Sequence, residues 1–350
     1  MKRRNFVYGL GLAGLSIPLQ SFSGTAERQI STNKKLLPKR LSEGDTIGIT
    51  SPAGAIFDSE PYEIARENLE AMGLKVRFGE FAKSRYGHLA GTDEERASEL
   101  NQMFGDPAID AIISLRGGSG AARIIDKLDY ELIRKNPKIF IGYSDITALH
   151  LAIYEKTGLV TFHGPMASSS WNTFNYDIFR QLLFEGKKIE YTNPENLNFL
   201  EVQTNNRIRT INNGYAKGEL LGGNLSVLTS IMGTPYFPTD WSNKILYLED
   251  IGEKIYAVDR MMSQLKLGGI LDKISGFVFG KCTGCDPGGS GYGSLTMEEV
   301  VDHYIKPLNI PAFSGAMIGH IDDNSTIPNG IEAEINSNTG TIKLLKPAVK

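Results

Sequence analysis

Four short stretches of the chain carry residues whose types and spacing could do chemistry. In Ile141-Gly-Tyr-Ser-Asp-Ile-Thr147 an apolar run delivers Ser144 at a sharp turn, and a helix is expected to begin near Ile146. Strand, turn and helix in that order hold a nucleophile exposed, with the next backbone N–H aimed at an oxyanion. Ile146 stands where the Gly-x-Ser-x-Gly pattern has its last glycine, so a strand end with Ser144 or Asp145 capping a helix is the plain alternative. Arg116-Gly-Gly-Ser-Gly120 follows another apolar run, and Ala-Ala-Arg comes next. That matches neither the dinucleotide fingerprint nor the lysine-bearing phosphate loop. A close backbone approach to a ligand, as in an oxyanion hole, and an ordinary turn both fit it. Leu246-Tyr-Leu-Glu249-Asp250 is an apolar strand ending in two carboxylates, and Gly319-His320 follows Ala316-Met-Ile at a further strand end. Each reads as a working group or as a solvated acid and a packed histidine. The other histidines, His88, His150, His163 and His303, show no metal-ligand spacing. Cys282-Thr-Gly-Cys285 has no second pair or flanking histidines to make a zinc site, and either closes a short disulfide or is incidental. No metal is expected.

These residues need a scaffold that brings distant strand ends together. Asp45-Thr-Ile-Gly-Ile-Thr50 reads as a first strand, ended by Ser51-Pro-Ala-Gly54. Pro61 to Met72 has apolar positions at Ile64, Ala65, Leu69 and Met72, a helical spacing closed by Gly73. Leu74 to Phe78 reads as a second strand, and Thr92-Asp-Glu-Glu95 as a capping box opening a helix to about Phe104. Ala111 to Leu115 reads as a strand running into the Arg116 loop. A helix from Ala121, a turn near Asp129 and a strand from Lys138 to Ile141 continue the alternation. This order predicts an α/β fold with an open parallel sheet, Rossmann- or flavodoxin-like, whose ligand sites lie beyond the strand carboxyl ends. Gly117, Gly118 and the Ser144 turn fall there. Residues 171–213 are rich in Asn, Thr and Glu and read as a connector with short strands. Strands are then expected at Gly218–Leu221, Lys244–Leu248, Ile274–Phe279, Ile331–Ile335 and Thr341–Leu345, with helices near Tyr256–Leu267 and Thr296–Lys306. The expectation is an N-terminal α/β domain over 40–170 and a strand-rich, mixed α+β C-terminal domain over 214–350.

Composition agrees. A chain of 350 residues exceeds one ordinary core and suits two domains. With 41% hydrophobic and 22% charged residues it is neither disordered, nor a rod, nor a polytopic membrane protein. Thirty-seven basic against 40 acidic residues leave a net charge of −3, so no basic field draws nucleic acid or anionic lipid. Residues 1–24 read as an export signal: Lys2, Arg3 and Arg4, an apolar run from Phe6 to Leu19, then small residues around Ser21 and Ser23. The Arg-Arg-Asn-Phe-Val string resembles a twin-arginine signal, which implies export after folding, to the periplasm. The run is shorter than a membrane span of ~20 residues, so no stable insertion is expected after the signal is removed. Residues 25–39 read as a polar, basic tether.

Taken together and in order, the motifs resemble the serine LD-carboxypeptidases, the muramoyltetrapeptide carboxypeptidase family. The matching pieces are Ile49-Thr-Ser-Pro-Ala, Leu115-Arg-Gly-Gly-Ser-Gly, Ile141-Gly-Tyr-Ser-Asp-Ile-Thr-Ala-Leu, His163-Gly-Pro and Gly218-Glu-Leu-Leu-Gly-Gly-Asn-Leu. Gly233-Thr-Pro, Leu246-Tyr-Leu-Glu-Asp-Ile, Arg260-Met-Met-Ser-Gln-Leu and Gly319-His follow, so the resemblance spans roughly residues 38 to 348. It implies Ser144 as nucleophile, His320 as base, Glu249 as the acid orienting it, and an oxyanion hole from the backbone N–H groups of Asp145 and Gly118. Gly117, Ser119 and Asn224 become candidates for a substrate cleft between the two domains. The implied reaction removes the terminal D-alanine from a peptidoglycan stem tetrapeptide, with no cofactor. Ser119 stands where relatives commonly carry an aromatic, which makes the cleft rim smaller. Hydrolases of the microcin-immunity type, which cut a peptidyl or acyl nucleotide, share the triad; a silent wall-peptide binder is the reading from another class. A homodimer stays open.

Overall fold

The first half of the chain alternates strand and helix: β1 (Thr46–Thr50), α1 (Glu60–Ala71), β2 (Lys75–Phe78), α2 (Asp93–Gly105), β3 (Ala111–Ser114), α3 (Tyr130–Lys135), β4 (Ile139–Gly142), α4 (Thr147–Thr157) and β5 (Thr161–His163). Every residue of β3, β4 and β5 is buried, which is why these strands read as apolar runs without alternation. Thr92 and Glu95 form the expected capping box at α2, and Asp129 accepts from Leu132 N to open α3. Such caps contribute about 1 kcal/mol each. The stretch after Ala121 is a 3-10 helix, Ala121–Lys127, entered through left-handed Gly120.

The second half contributes α5 (Thr173–Phe179), β6 (Glu190–Tyr191), β7 (Arg209–Asn212), β8 (Tyr215–Asn224), α6 (Leu225–Ser230), β9 (Lys244–Ile251), α7 (Ile255–Leu267), β10 (Gly276–Thr283), α8 (Met297–Ile305), β11 (Ala312–Ser314), β12 (Ile327–Asn329), β13 (Glu332–Asn336) and β14 (Thr341–Leu344). This is the computed structural model of the chain, and it describes residues 35–195, 202–203, 205–289 and 293–350. The expected export signal and the tether up to residue 34 lie outside the described residues. No helix among the described residues is long and apolar enough to cross a membrane.

Two sheets organise these elements. The first runs β12-β5-β4-β3-β1-β2, parallel from β5 through β2, with β12 antiparallel at the edge. The second runs β6-β14-β13-β8-β9-β10-β11-β7 and is mixed: β8, β9, β10 and β11 are parallel, and the remaining pairs are antiparallel. The fold is therefore two-domain α/β with a parallel-rich first sheet and a mixed second one. The first sheet also borrows β12 from the segment expected to serve only the second. The region read as a connector with short strands contains α5, which continues into a π-helical turn at Arg180–Phe184. Asn172 opens that helix by accepting from Asn175 N at 3.0 Å.

The hydrophobic core does not respect the division into halves. One buried cluster joins Leu149 and Ile153 of α4 to Leu225 and Leu228 of α6 and to Val258 and Met262 of α7. A second joins Ile49, Ile113 and Phe162 of the first sheet to Tyr247, Val278, Phe313 and Ile335 of the second. Residues 33–350 accordingly form one compact unit. A core continuous across both sheets fixes the strand ends of one against those of the other, and the chemistry-bearing residues sit on those ends.

Candidate active site

Ser144 owes its place to the exit from β4. The carbonyl of Gly142 accepts from Gly164 N at 3.1 Å and from His150 Nε2 at 2.8 Å. Burial pushes the His150 pKa down to about 4, so a neutral ring makes that donation. The chain then turns through Tyr143 into Ser144, whose φ of +62° lies in the left-handed region that non-glycine residues seldom occupy. A single 3-10 turn, Ser144–Ile146, leads into α4. This is the strand–turn–helix expected from the sequence, with the strain concentrated on the serine.

The Arg116 loop lies directly against that turn. Gly117 is buried and its carbonyl accepts from Gly54 N at 3.0 Å, while Arg116 Nη1 donates to Ala55 O at 3.0 Å. A Cβ placed on Gly117 would come within 2.8 Å of Ser144 Cβ, 3.0 Å of its Oγ and 3.4 Å of Asp145 N. Gly118 and Gly120 take φ of +113° and +114°, which suits glycine alone. Asp145 ties the two loops together: its buried carboxylate accepts from Ala121 N at 2.7 Å, and burial raises its pKa. Neither Asp145 N–H nor Gly118 N–H has an acceptor among the described residues. Ser119 is exposed at the tip.

Glu249 and His320 come from the other sheet. Glu249 lies near the end of β9, flanked by β8 and β10, and is 0% exposed. His320 sits in the loop after β11, behind left-handed Gly319 (φ +131°), where a Cβ would come 3.0 Å from Glu249 Oε2. His320 Nδ1 donates to that same oxygen at 2.8 Å. Ser144 and His320 are not hydrogen-bonded to each other. Tyr143, next to the serine in sequence, packs its ring 4.8 Å from the His320 ring at 62°. Catalytic hydrogen bonds often tighten only when substrate binds.

The His320 loop is gripped from several sides, and by residues that sequence reasoning missed. Thr283 Oγ1 donates to His320 O at 2.8 Å. Gly319 N donates to Asn324 Oδ1 at 3.1 Å, and Asn324 N donates in turn to Asn175 Oδ1 at 2.7 Å. Asn175 Nδ2 donates to Ser170 O and to Asp322 O, both at 2.7 Å. Asn172 Nδ2 reaches Asp323 Oδ1 at 2.7 Å. The Asn172-Thr-Phe-Asn175 spacing is itself a helix-cap signal and could have been read as one. A cavity of about 300 Å³ opens beside His320, lined by Tyr143, Ser169, Ser170, Asn175, Asp322 and Asn324 among others.

Asn224, expected to line the cleft, is buried instead. Its Oδ1 caps α6 by accepting from Val227 N at 3.1 Å, and its Nδ2 donates to Asp250 Oδ1 at 3.0 Å, so the carboxamide is committed inside the fold. Asp250, the second strand-end acid, also accepts from Ser226 N at 2.8 Å and is buried, which raises its pKa. Cys282 and Cys285 are joined as a disulfide. No group of three or more His, Cys, Asp or Glu among the described residues could hold a metal ion.

Comparison with known proteins fits this arrangement. The LD-carboxypeptidase N-terminal domain matches residues 47–164 and the LD-carboxypeptidase C-terminal domain matches residues 217–335. The chain belongs to the LD-carboxypeptidase family. It is a carboxypeptidase of that family, and the relatives fall on two sides. A probable murein peptide carboxypeptidase of Bacillus subtilis is 41% identical over 86% of this chain and 91% of its own length. The solved muramoyltetrapeptide carboxypeptidase of Oxalobacter formigenes superposes with a TM-score of 0.72 at 29% identity, covering 85% of this chain and 97% of its own. The microcin C7 self-immunity protein MccF of Escherichia coli is 31% identical over 88% of this chain and 95% of its own. A structure of MccF in complex with glutamyl sulfamoyl guanosine gives a TM-score of 0.81, covering 90% of this chain and 100% of that one.

Proposed function

We propose that this carboxypeptidase releases the terminal D-alanine from peptidoglycan stem tetrapeptides by Ser–His–Glu catalysis. The observation that carries the reading is the 2.8 Å bond from His320 Nδ1 to Glu249 Oε2 on a ring that also packs against Tyr143, beside the left-handed Ser144. Glu249 fixes the His320 tautomer, which leaves Nε2 free to take a proton. Ser144 Oγ attacks the carbonyl of the penultimate residue as His320 removes its proton. The oxyanion forms beside the N–H groups of Asp145 and Gly118, each such donor contributing about 3–4 kcal/mol. His320 then protonates the departing amine and D-alanine leaves. Water, deprotonated by the same imidazole, hydrolyses the acyl-enzyme and restores Ser144.

The names of the murein peptide and muramoyltetrapeptide relatives support this substrate class. The reading of residues 1–24 as a twin-arginine-like signal places the reaction in the periplasm, and a Cys282–Cys285 disulfide accords with an oxidising compartment. Domains over 40–170 and 214–350 then contribute the serine and the Glu–His pair respectively. MccF bound to glutamyl sulfamoyl guanosine favours a second reading, in which an acyl or peptidyl nucleotide is cut at the same serine.

The test offers purified protein a tetrapeptide and, in parallel, an aminoacyl adenylate, and follows tripeptide and amino-acid release by mass spectrometry. Tripeptide plus D-alanine is the expected product, with Ser144→Ala lowering kcat on the order of 10⁶-fold. Undiminished turnover in Ser144→Ala overturns the mechanism. Turnover of the adenylate alone moves the substrate to the second reading, and tight peptide binding without turnover makes the protein a wall-peptide binder.

A further inference from the structure

Three polar atoms meet behind the Glu–His pair with no hydrogen-bond partner: Glu249 Oε1 and both ring nitrogens of His163. Both residues are 0% exposed, and they come from different sheets, His163 from β5 and Glu249 from β9. His163 Nε2 lies 4.0 Å from Glu249 Oε1. The imidazole is boxed by two aromatic edges, Tyr143 at 6.0 Å and 69° and Tyr247 at 5.7 Å and 74°. Burial holds the His163 pKa well below the usual imidazole value, so the ring is neutral and the two groups do not form an ion pair. A neutral imidazole carries one N–H, and a buried carboxylate oxygen without a donor is costly. The remaining groups facing Glu249 do not supply one. Tyr247 OH is donated to Asn329 Oδ1, Asp250 is a second acid, and His320 already binds Oε2.

We propose that His163 is a positioning residue for this family's reaction: its Nε2–H is the donor for Glu249 Oε1, and it leaves Oε2 aimed at His320. Closing 4.0 Å to hydrogen-bond length takes a shift of about 1 Å, of the size expected when a catalytic site tightens around substrate. Glu249 is then held by an imidazole on either side, one from each sheet. The orientation of the base depends on the register between the sheets as well as on the loop that carries it. This inference rests on the proposed function only in taking Glu249 as the acid that orients His320.

The test uses the full chain labelled with ¹⁵N-histidine, in which all five histidines can be followed by NMR. His163 is expected to be neutral at neutral pH and to carry its proton on Nε2. A proton on Nδ1, with bare Nε2 facing the carboxylate, overturns the proposal without any variant being made. His163→Phe keeps the ring packing and removes the donor. It is expected to lower kcat roughly 10- to 100-fold with KM changed less than about twofold. His163→Gln, which keeps an amide donor, recovers part of the loss. Wild-type kcat in His163→Phe overturns the proposal. Failure of wild-type protein to cut a tetrapeptide would count against the proposed function and leave the tautomer measurement standing.

Discussion

Gly117→Ala adds one methyl against Ser144, the proposed nucleophile. The backbone of Gly117 is outside the left-handed region, so an alanine is not strained there by its φ, and only space decides. The new methyl would stand 2.8 Å from Ser144 Cβ, whereas ordinary contact begins at 3.4 Å, so one side must give by about 0.6 Å. The loop cannot retreat freely, because Gly117 O is held by Gly54 N and a Cβ on Gly54 would itself meet that oxygen at 2.9 Å. Ser144 therefore moves, or its Oγ is blocked by a methyl at 3.0 Å. Displacing a reacting atom by about 1 Å can cost about 10²-fold, so a loss of roughly 10- to 100-fold in kcat is expected. Overpacking adds about 1–3 kcal/mol of destabilisation. The assay is the rate at which Ser144 is labelled by a fluorophosphonate, which does not depend on the identity of the natural substrate, read beside tetrapeptide turnover. Wild-type labelling and turnover in Gly117→Ala would refute the reasoning that a methyl on this glycine displaces or blocks Ser144.

Three further outcomes can be checked. Asn324→Ala removes the acceptor of Gly319 N and leaves that N–H without a side-chain partner, so kcat should fall and unfolding in urea should show a loss of about 1–3 kcal/mol; an unchanged kcat would mean that Thr283 and Asn175 hold the His320 loop unaided. Reducing the Cys282–Cys285 disulfide reopens a very short loop around Thr283, for which loop-closure entropy predicts a loss of about 2 kcal/mol; identical calorimetric midpoints with and without reductant would contradict it. His150 is buried with its pKa lowered from 6.5 to about 4, so its contribution to stability is complete above about pH 6.5 and is lost as the pH falls toward 4, where the unfolded chain takes up a proton that the folded one refuses. The depression corresponds to about 3 kcal/mol. His150→Gln, which keeps a donor for Gly142 O, should flatten the dependence of urea stability on pH across that window, and an equally steep dependence would rule the origin out.

What could be read from the sequence was what is encoded locally. The capping box at Thr92, the buried runs of β3 and β4 and the turn at Ser144 each need only a few neighbouring residues, and all are present. Asn172 and Asn175 escaped notice because their partners lie about 150 residues away, and a polar, Asn-rich stretch otherwise reads as a linker. Strand β12 is three residues long with a proline at its centre, too short to show a period and tolerated only because it forms the sheet edge. Asn224 entered as a cleft candidate only through the family resemblance, and its side chain instead satisfies the backbone of the next helix. His163 stood out only as part of the His163-Gly-Pro match and without metal-ligand spacing, since its proximity to Glu249 depends on how two sheets meet, which no spacing along the chain encodes.

The position of β12 also has a consequence in time. The first sheet takes its edge strand from residues 327–329, so it stays one strand short until those residues have been made. Domains commonly fold as units during synthesis, the earlier before the later. Here Ser144 emerges from the ribosome long before the strand that pairs with His163, and before the loop bearing His320. A chain cut short before residue 320 thus lacks the proposed base for Ser144 and leaves the first sheet with an open edge. On the proposed mechanism, hydrolytic competence therefore waits on residues 320 to 329, which are made long after the strand and turn that carry Ser144.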